Sequence, residues 1–177
     1  MRDRWTNLAV WAISTAALVW ADQWTKMLAV SHLKGQEPYV IWDGVFELLY
    51  SENRGAAFGM LQGRQTMFYI IAALVVAAAA YVMWRMPGWK QRRYHWLRFC
   101  AVLITAGAVG NLIDRAFRGF VVDMFNLLFM NFAVFNVADI CVVVGGISAG
   151  LYYLFLADKL EPGRKGSGEH DDAEAAG

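Results

Sequence analysis

The sequence contains only two cysteines and three histidines among its 177 residues, and charged residues make up only 18% of it. Two cysteines cannot form a disulfide framework or a cysteine-rich metal site. The histidines do not form an H-E-x-x-H pattern, which argues against a zinc metalloprotease. The formal net charge of +1 excludes a strongly basic nucleic-acid-binding protein, so we expect no nucleic acid as a partner.

Hydrophobic residues are abundant: they make up 58% of the chain, aromatic residues make up 15%, and the mean hydropathy is +0.36. Soluble domains have roughly 45–50% apolar and about 25% charged residues. This composition excludes the disordered, collagen-like and disulfide-rich secreted classes. It predicts an integral membrane protein with one domain.

Four segments are long and apolar enough to cross a membrane as helices, because a hydrocarbon core of about 30 Å needs about 20 residues. The first is interpreted as an uncleaved helix and not a signal peptide, since it is long and lacks a small-x-small cleavage pattern. A single domain over 1–160 is predicted, followed by a disordered tail over 161–177. The predicted spans are 8–30, 66–84, 97–117 and 135–157.

Lysine and arginine concentrate at both termini and in the short loop between the second and third spans. Because short cytoplasmic loops retain these residues, both termini and this loop are predicted to be cytoplasmic. The two longer loops, 31–65 and 118–134, are then external, and the functional site is expected on that face. The residues that set this orientation are Arg2, Arg4, Arg85, Lys90, Arg92, Arg93, Arg98, Lys159, Arg164 and Lys165.

The first external loop contains strand-forming residues interrupted by Asp43-Gly44, which is a hairpin signal. The second external loop is apolar but too short for a return crossing, so it either follows the membrane surface or continues the same sheet. The predicted fold is therefore an all-α membrane protein with four transmembrane helices and a small β-sheet at the external membrane surface.

Ionisable side chains inside a bilayer cost at least about 2.5–3.5 kcal/mol each, so each is a functional hypothesis. Here they cluster at one depth, near the external ends of three spans, and Asn53-Arg54-Gly55 of the first loop could fold towards them. Asn111 with Asp114, and Asn136 with Asp139, are each three residues apart and share a helix face. The cluster comprises Asp22, Lys26, Asn111, Asp114, Arg115, Asn136 and Asp139.

Asp123, in the second external loop, and Asp139 have no obvious cation nearby in sequence. Two carboxyl groups within hydrogen-bond reach cannot both ionise, so such a pair holds one proton and supplies an acid and a base. The plainer readings are a solvated loop acid for Asp123 and a helix-start acid for Asp139. Likewise, Asp22 with Lys26 and Asp114 with Arg115 are interpreted as structural ion pairs. The convergence of these residues with three asparagines favours a site.

Other chemistries fit less well. Residues 146–150 match G-x-S-x-G as text, but they lie inside a predicted helix and no histidine can reach them, so they indicate G-x-x-x-G helix packing. Cys100 and Cys141 are predicted to lie on the order of 15 Å apart, too far for a disulfide. A proton-coupled transporter and a non-catalytic membrane scaffold remain open as alternatives.

Five motifs along residues 8–157 resemble those of the lipoprotein signal peptidases (signal peptidase II) in sequence and in order. The chain departs from this family pattern at Ile140, where many members carry a serine. The motifs are Asp22-Gln23-x-Thr25-Lys26, Asn53-Arg54-Gly55-Ala56-Ala57-Phe58, Gly110-Asn111-Leu112-Ile113-Asp114-Arg115, Gly119-x-Val121-Val122-Asp123 and Phe135-Asn136-Val137-Ala138-Asp139.

The resemblance implies an aspartic endopeptidase of the bacterial inner membrane, with a small external sheet that cradles the substrate. It would cut the signal peptide from a diacylglyceryl-modified prolipoprotein just before the lipidated cysteine, without a metal or other cofactor. The implied partners are these precursors, membrane lipid and cyclic-peptide inhibitors of the globomycin type. The implied catalytic pair is Asp123 and Asp139, and the implied supporting residues are Asn53, Arg54, Asn111, Asp114, Arg115, Asn136, Asp22 and Lys26.

Overall fold

The computed structural model describes residues 2–55 and 65–156, and most of them are helical. The four predicted helices are confirmed, with small differences at their ends. The first begins earlier than its apolar segment, and the fourth begins two residues later because Asn136 caps it. The predicted tail 161–177 lies outside the described residues. The helices are α1 (Arg2–His32), α2 (Gln65–Arg85), α3 (His95–Arg118) and α4 (Val137–Leu156).

Three helices in the described part of the chain are long and apolar enough to cross a membrane: α2, α3 and α4. The long helix α1 is not among them, because its C-terminal half includes Asp22, Gln23 and Lys26.

The close contact between α3 and α4 depends on small residues. A Cβ atom at Gly145 would lie 2.9 Å from Leu103 Cβ. The predicted packing role of residues 146–150 is wrong, since nothing described lies within 4 Å of a Cβ built at Gly146 or Gly150.

A three-stranded antiparallel sheet consists of β1 (Tyr39–Trp42), β2 (Phe46–Asn53) and β3 (Val121–Leu127), in the order β1-β2-β3. The predicted hairpin is confirmed: Gly44 has φ +67° in the turn, and Val45 N–H donates to Trp42 O. The second loop continues this sheet, since β3 pairs with β2 from Phe46↔Leu127 to Asn53↔Val121.

A short bridge links the sheet to the start of α4. Phe125 and Phe135 exchange both backbone hydrogen bonds, at 2.9 and 3.1 Å, and their rings are 5.6 Å apart. The segment that begins α4 is therefore fixed beside β3. This places Asp139, in the first turn of α4, close to Asp123 in the middle of β3.

Candidate active site

Asp123 and Asp139 converge with the three asparagines, but the side chains of Asn111 and Asn136 bind the carboxyl of another element and not that of the neighbouring aspartate in their own segment. Asn136 Nδ2 donates to Asp123 Oδ1 at 2.6 Å, and Asn53 Nδ2 donates to Asp123 Oδ2 at 3.0 Å. Asn111 Nδ2 donates to Asp139 Oδ1 at 2.8 Å, and the backbone N–H of Asn136 donates to Asp139 Oδ2 at 3.1 Å. Each of the four carboxyl oxygens thus accepts one neutral donor.

The orientation of each asparagine amide is fixed by a donor on its oxygen atom. Gly55 N–H donates to Asn53 Oδ1 at 3.0 Å, and Asp139 N–H donates to Asn136 Oδ1 at 3.0 Å. The Lys26 ammonium group donates to Asn111 Oδ1 at 2.9 Å. An amide whose oxygen is held by a donor must turn its NH₂ group elsewhere. In all three residues that group points to a carboxylate of the pair.

Asn136 and Asp139 also cap α4. Asn136 is the N-cap residue, and its hydrogen bonds with Asp139 are reciprocal, as in a capping box. The plainer interpretation of Asp139 as a helix-start acid is therefore also correct. The same side chain caps α4 and belongs to the carboxylate pair. The capping geometry limits the freedom of the Asp139 side chain, so a structural role supports the site.

No lysine or arginine among residues 2–55 and 65–156 lies within 4 Å of the carboxylate of Asp123 or of Asp139. Asp123 is 1% exposed. Burial, together with the negative charge of Asp139, raises the pKa of Asp123 to about 6, against the opposing effect of the amide donors. A proton can therefore be held by this pair near neutral pH.

A buried ion network lies beside the pair. The Lys26 ammonium group, which is 0% exposed, is 2.9 Å from Asp22 Oδ2 and 3.2 Å from Asp114 Oδ2. The predicted pair of Asp22 with Lys26 is thus confirmed, but it belongs to a larger network. Asp114 also accepts from Arg118 Nη1 and from the backbone N–H of Val122. This last bond fixes the start of β3 against α3.

Asp22 connects α1 to the start of α4, because its Oδ1 accepts from Ala138 N–H at 2.9 Å. Gln23, which we did not predict as a site residue, donates to Gly110 O at 3.0 Å and to Asp114 Oδ1 at 3.3 Å. The signal that could have identified Gln23 is its polar amide within an otherwise apolar predicted span. Gly110 leaves room for the Asp22 carboxylate, since a Cβ atom at Gly110 would lie 2.6 Å from Asp22 Oδ2.

The predicted ion pair of Asp114 with Arg115 is wrong. Adjacent helical residues do not face each other, whereas Arg118, four residues after Asp114, does. Arg115 instead donates to Gly55 O at 2.9 Å and lies 4.1 Å from the centre of the Phe68 ring. It therefore holds Gly55, two residues after Asn53, against α2 and α3.

Arg54 does not join the carboxylate pair. Its side chain is exposed, pairs with Glu52 at 3.0 Å and covers the Phe120 ring. Residues Ala56 to Phe58 of the same motif lie outside the described residues. The remaining predicted site residues are brought together; Arg54 is the exception, and its role stays a prediction.

A cavity of about 640 Å³ opens between α2, α3 and α4 and reaches Asp139 at one end. Its polar end is lined by Asn53, Asn111, Arg115 and Asp139, whereas Asp123 is not among the lining residues. The rest is apolar and includes Ile140. The shape suits an extended apolar ligand whose polar bond lies at the Asp139 end.

No cluster of three or more metal-ligating side chains occurs in the part of the chain that the structure describes. Cys100 and Cys141 are both buried free thiols. Ser148 lies within α4, and its backbone oxygen accepts from the Trp96 indole. The arrangement of Asp123, Asp139 and the three amides is therefore the chemical centre of the described structure.

Comparisons with known proteins identify the family of the chain. The family model for signal peptidase (SPase) II matches residues 14–155. The lipoprotein signal peptidase of Clostridioides difficile is 41% identical over 80% of this chain and 93% of its own length. That of Enterococcus faecalis is 34% identical over 90% of this chain and 97% of its own length. The one from Streptococcus thermophilus is 39% identical over 75% of this chain and 84% of its own.

Two solved structures are also similar, both of bacterial membrane enzymes studied by the in meso method. One, at 2.3 Å resolution, has a TM-score of 0.74 and 26% identity, covering 89% of this chain and 93% of that one. The other, at 1.9 Å, has a TM-score of 0.71 and 27% identity, covering 83% and 94%. The chain therefore belongs to the signal peptidase II family of aspartic-type lipoprotein signal peptidases.

Proposed function

We propose that the chain removes the signal peptide from diacylglyceryl-modified prolipoproteins by cutting just before the lipidated cysteine, with Asp123 and Asp139 as its catalytic residues. Family membership makes it a multi-pass bacterial membrane protein with lipoprotein signal peptidase activity. The observation that carries the residue assignment is the pair of carboxylates held by three oriented amides without a cation within 4 Å in the described chain. No transporter or scaffold role is needed to explain these residues.

One proton shared by the pair is enough for hydrolysis. The ionised carboxylate takes a proton from a water molecule as the water oxygen attacks the scissile carbonyl carbon, and the protonated carboxyl donates a hydrogen bond to the carbonyl oxygen. The proton on the first carboxyl then passes to the leaving amine as the C–N bond breaks. The pair returns to its starting state, and neither a metal nor a covalent intermediate is required.

The apolar cavity supports a lipid-linked substrate. Its walls come from α2, α3 and α4, so the hydrophobic part of a signal peptide and the acyl chains can lie against them without leaving an apolar environment. The Arg115 guanidinium and the Asn53 amide line the polar end and can hold peptide carbonyl groups there. A cyclic peptide of the globomycin type would compete for this same cavity.

We propose that α1 is a fourth membrane span and that residues 1–160 form one domain. Asn7, near the start of α1, donates to Met86 O after α2, while Lys26, near its other end, reaches Asn111 on α3. The helix therefore lies along the bundle over its length. The distribution of lysine and arginine favours cytoplasmic termini, an inner-membrane location, and a sheet and active site at the external face.

The test is cleavage of a defined substrate by the purified chain in detergent. A synthetic prolipoprotein segment with a diacylglyceryl cysteine is incubated with the enzyme, and the products are identified by mass spectrometry. The expected products are the intact signal peptide and a segment whose new N-terminus is the lipidated cysteine. A cut at another bond, or no cut by folded protein, would contradict the proposal.

A further inference from the structure

A second cavity, of about 200 Å³, lies between α1, α2 and α3 at the opposite end of the helices from the active site. Arg98, which lines it, is 16 residues before Asp114 on α3, or about 24 Å along the helix axis. Trp89 and Phe99 also line the cavity and are 37% and 47% exposed, so it opens at the protein surface. It is separate from the cavity that holds the aspartate pair.

Arg98 is a buried cation without an acidic partner. Its side chain is at the cavity wall and only 3% exposed, and no carboxylate among the described residues lies within 4 Å of it. Its guanidinium donates to Pro87 O and to His95 Nδ1, and it covers the Trp89 ring, but Nε has no partner. A buried charge is costly without a counter-charge, so the geometry points to an anion.

Two further groups at the cavity can recognise a ligand. Because His95 Nδ1 accepts from Arg98, the neutral ring carries its proton on Nε2 and offers a donor there. Asn7 donates to the same Pro87 O as Arg98, so the two side chains lie side by side, and Asn7 Oδ1 is buried without a partner. The site thus offers a cation, a donor and an acceptor.

We propose that this cavity binds the headgroup of an anionic phospholipid, with Arg98 beside the phosphodiester and Asn7 accepting from a headgroup hydroxyl. Basic cavities between membrane helices bind acidic lipid headgroups in other proteins. Trp89 is suited to the membrane interface, where indole rings accumulate. Phosphatidylglycerol has the required chemistry: a single negative charge on its phosphodiester, two free hydroxyls, and acyl chains that remain in the membrane.

The test is lipid binding by the delipidated full chain in a nonionic detergent, followed by native mass spectrometry and thermal unfolding. Phosphatidylglycerol is expected to bind about tenfold or more tightly than phosphatidylcholine with the same acyl chains. Arg98→Gln should abolish this preference, whereas Arg92→Gln, which removes an exposed charge just before α3, should retain it. Equal binding of the two lipids, or equal losses in the two variants, would overturn the proposal.

Two additional arms keep the test decisive. Ser14 also lines the cavity, so Ser14→Phe should fill it and remove the preference while peptidase activity in detergent is unchanged. A retained preference would overturn the proposal even if Arg98→Gln did not fold. Glycerophosphoglycerol carries the same phosphodiester and headgroup hydroxyls without acyl chains. A thermal shift from it equal to that from the lipid at the same concentration would overturn the assignment to a membrane lipid.

Discussion

Lys26 donates to Asn111 Oδ1 at 2.9 Å, and Asn111 in turn donates to Asp139 Oδ1 at 2.8 Å. The lysine therefore acts on the carboxylate pair through an amide and not through direct contact. This arrangement orients the Asn111 NH₂ group towards Asp139, while no lysine or arginine of the described residues lies within 4 Å of either carboxylate, where it would favour ionisation of both.

Lys26→Met is expected to reduce both stability and turnover. It leaves the buried acids Asp22 and Asp114 without their lysine, which costs about 3–5 kcal/mol when one partner of a buried pair is removed. It also frees the Asn111 amide to rotate, so kcat should fall more than KM rises. Thermal unfolding and kinetics are measured in detergent. Lys34→Met, at an exposed ion pair, should leave the unfolding temperature nearly unchanged. Full kcat in folded Lys26→Met would contradict the positioning role.

Asp123→Asn and Asp139→Asn should each abolish cleavage in protein that remains folded and inserted. Asparagine retains the shape of the side chain but cannot take a proton from water, so losses of about 10²–10⁴ or more are expected. Cleavage of the lipidated substrate is measured beside Asp43→Asn, which changes the hairpin turn and should retain activity. Near-normal turnover by either site variant would show that the catalytic pair is wrongly assigned.

The predictable part of the molecule is the part set by local sequence. The Asp43-Gly44 hairpin and the apolar helices follow from short patterns, and the reciprocal bonds of Asn136 with Asp139 follow from their spacing. The pairing of β2 with β3 joins segments about 75 residues apart in the chain, and no local pattern specifies its register. The same limit explains the error at Asp114, because its partners Lys26 and Arg118 compete with the adjacent Arg115 in three dimensions.

The pH dependence of activity should follow Asp123. Its pKa is raised from 3.8 to about 6, in part by the ionised Asp139, so below about pH 6 the pair holds the one proton that hydrolysis needs, and above this pH both carboxyls ionise. The value of kcat/KM should therefore fall as the pH rises above about 6. Stability should change in the same direction: between about pH 4 and 6 the folded state binds the proton more tightly than the unfolded state, so lowering the pH favours folding. Thermal unfolding of Asp123→Asn should lack this contribution. A kcat/KM that stays constant from about pH 6 to about pH 8 would contradict the raised pKa.

Gly110→Ala should destabilise the protein, because the added Cβ would lie 2.6 Å from Asp22 Oδ2 and 3.2 Å from Ala138 Cβ. Overpacking of this kind costs about 1–3 kcal/mol, and the displaced Asp22 would also lose its bond to Ala138 N–H. Thermal unfolding is compared with that of Gly146→Ala, where the same change meets nothing within 4 Å. The control should unfold at an equal or slightly higher temperature, since alanine favours helices. Equal behaviour of the two variants would show that Gly110 is not a tight contact.

The acyl chains of the substrate should act mainly by fixing its depth. Transfer of a CH₂ group from water is worth about 0.8 kcal/mol, but in a membrane the chains are already out of water before they enter the apolar cavity. Their anchoring instead holds the bond before the cysteine level with Asp139, which is an advantage in orientation and entropy. An unlipidated precursor with the same peptide sequence should therefore be cut far more slowly, chiefly through a lower rate per bound complex. Single-turnover kinetics at saturating enzyme separate this rate from binding. An unchanged rate with weaker binding alone would mean that the chains supply only uniform affinity.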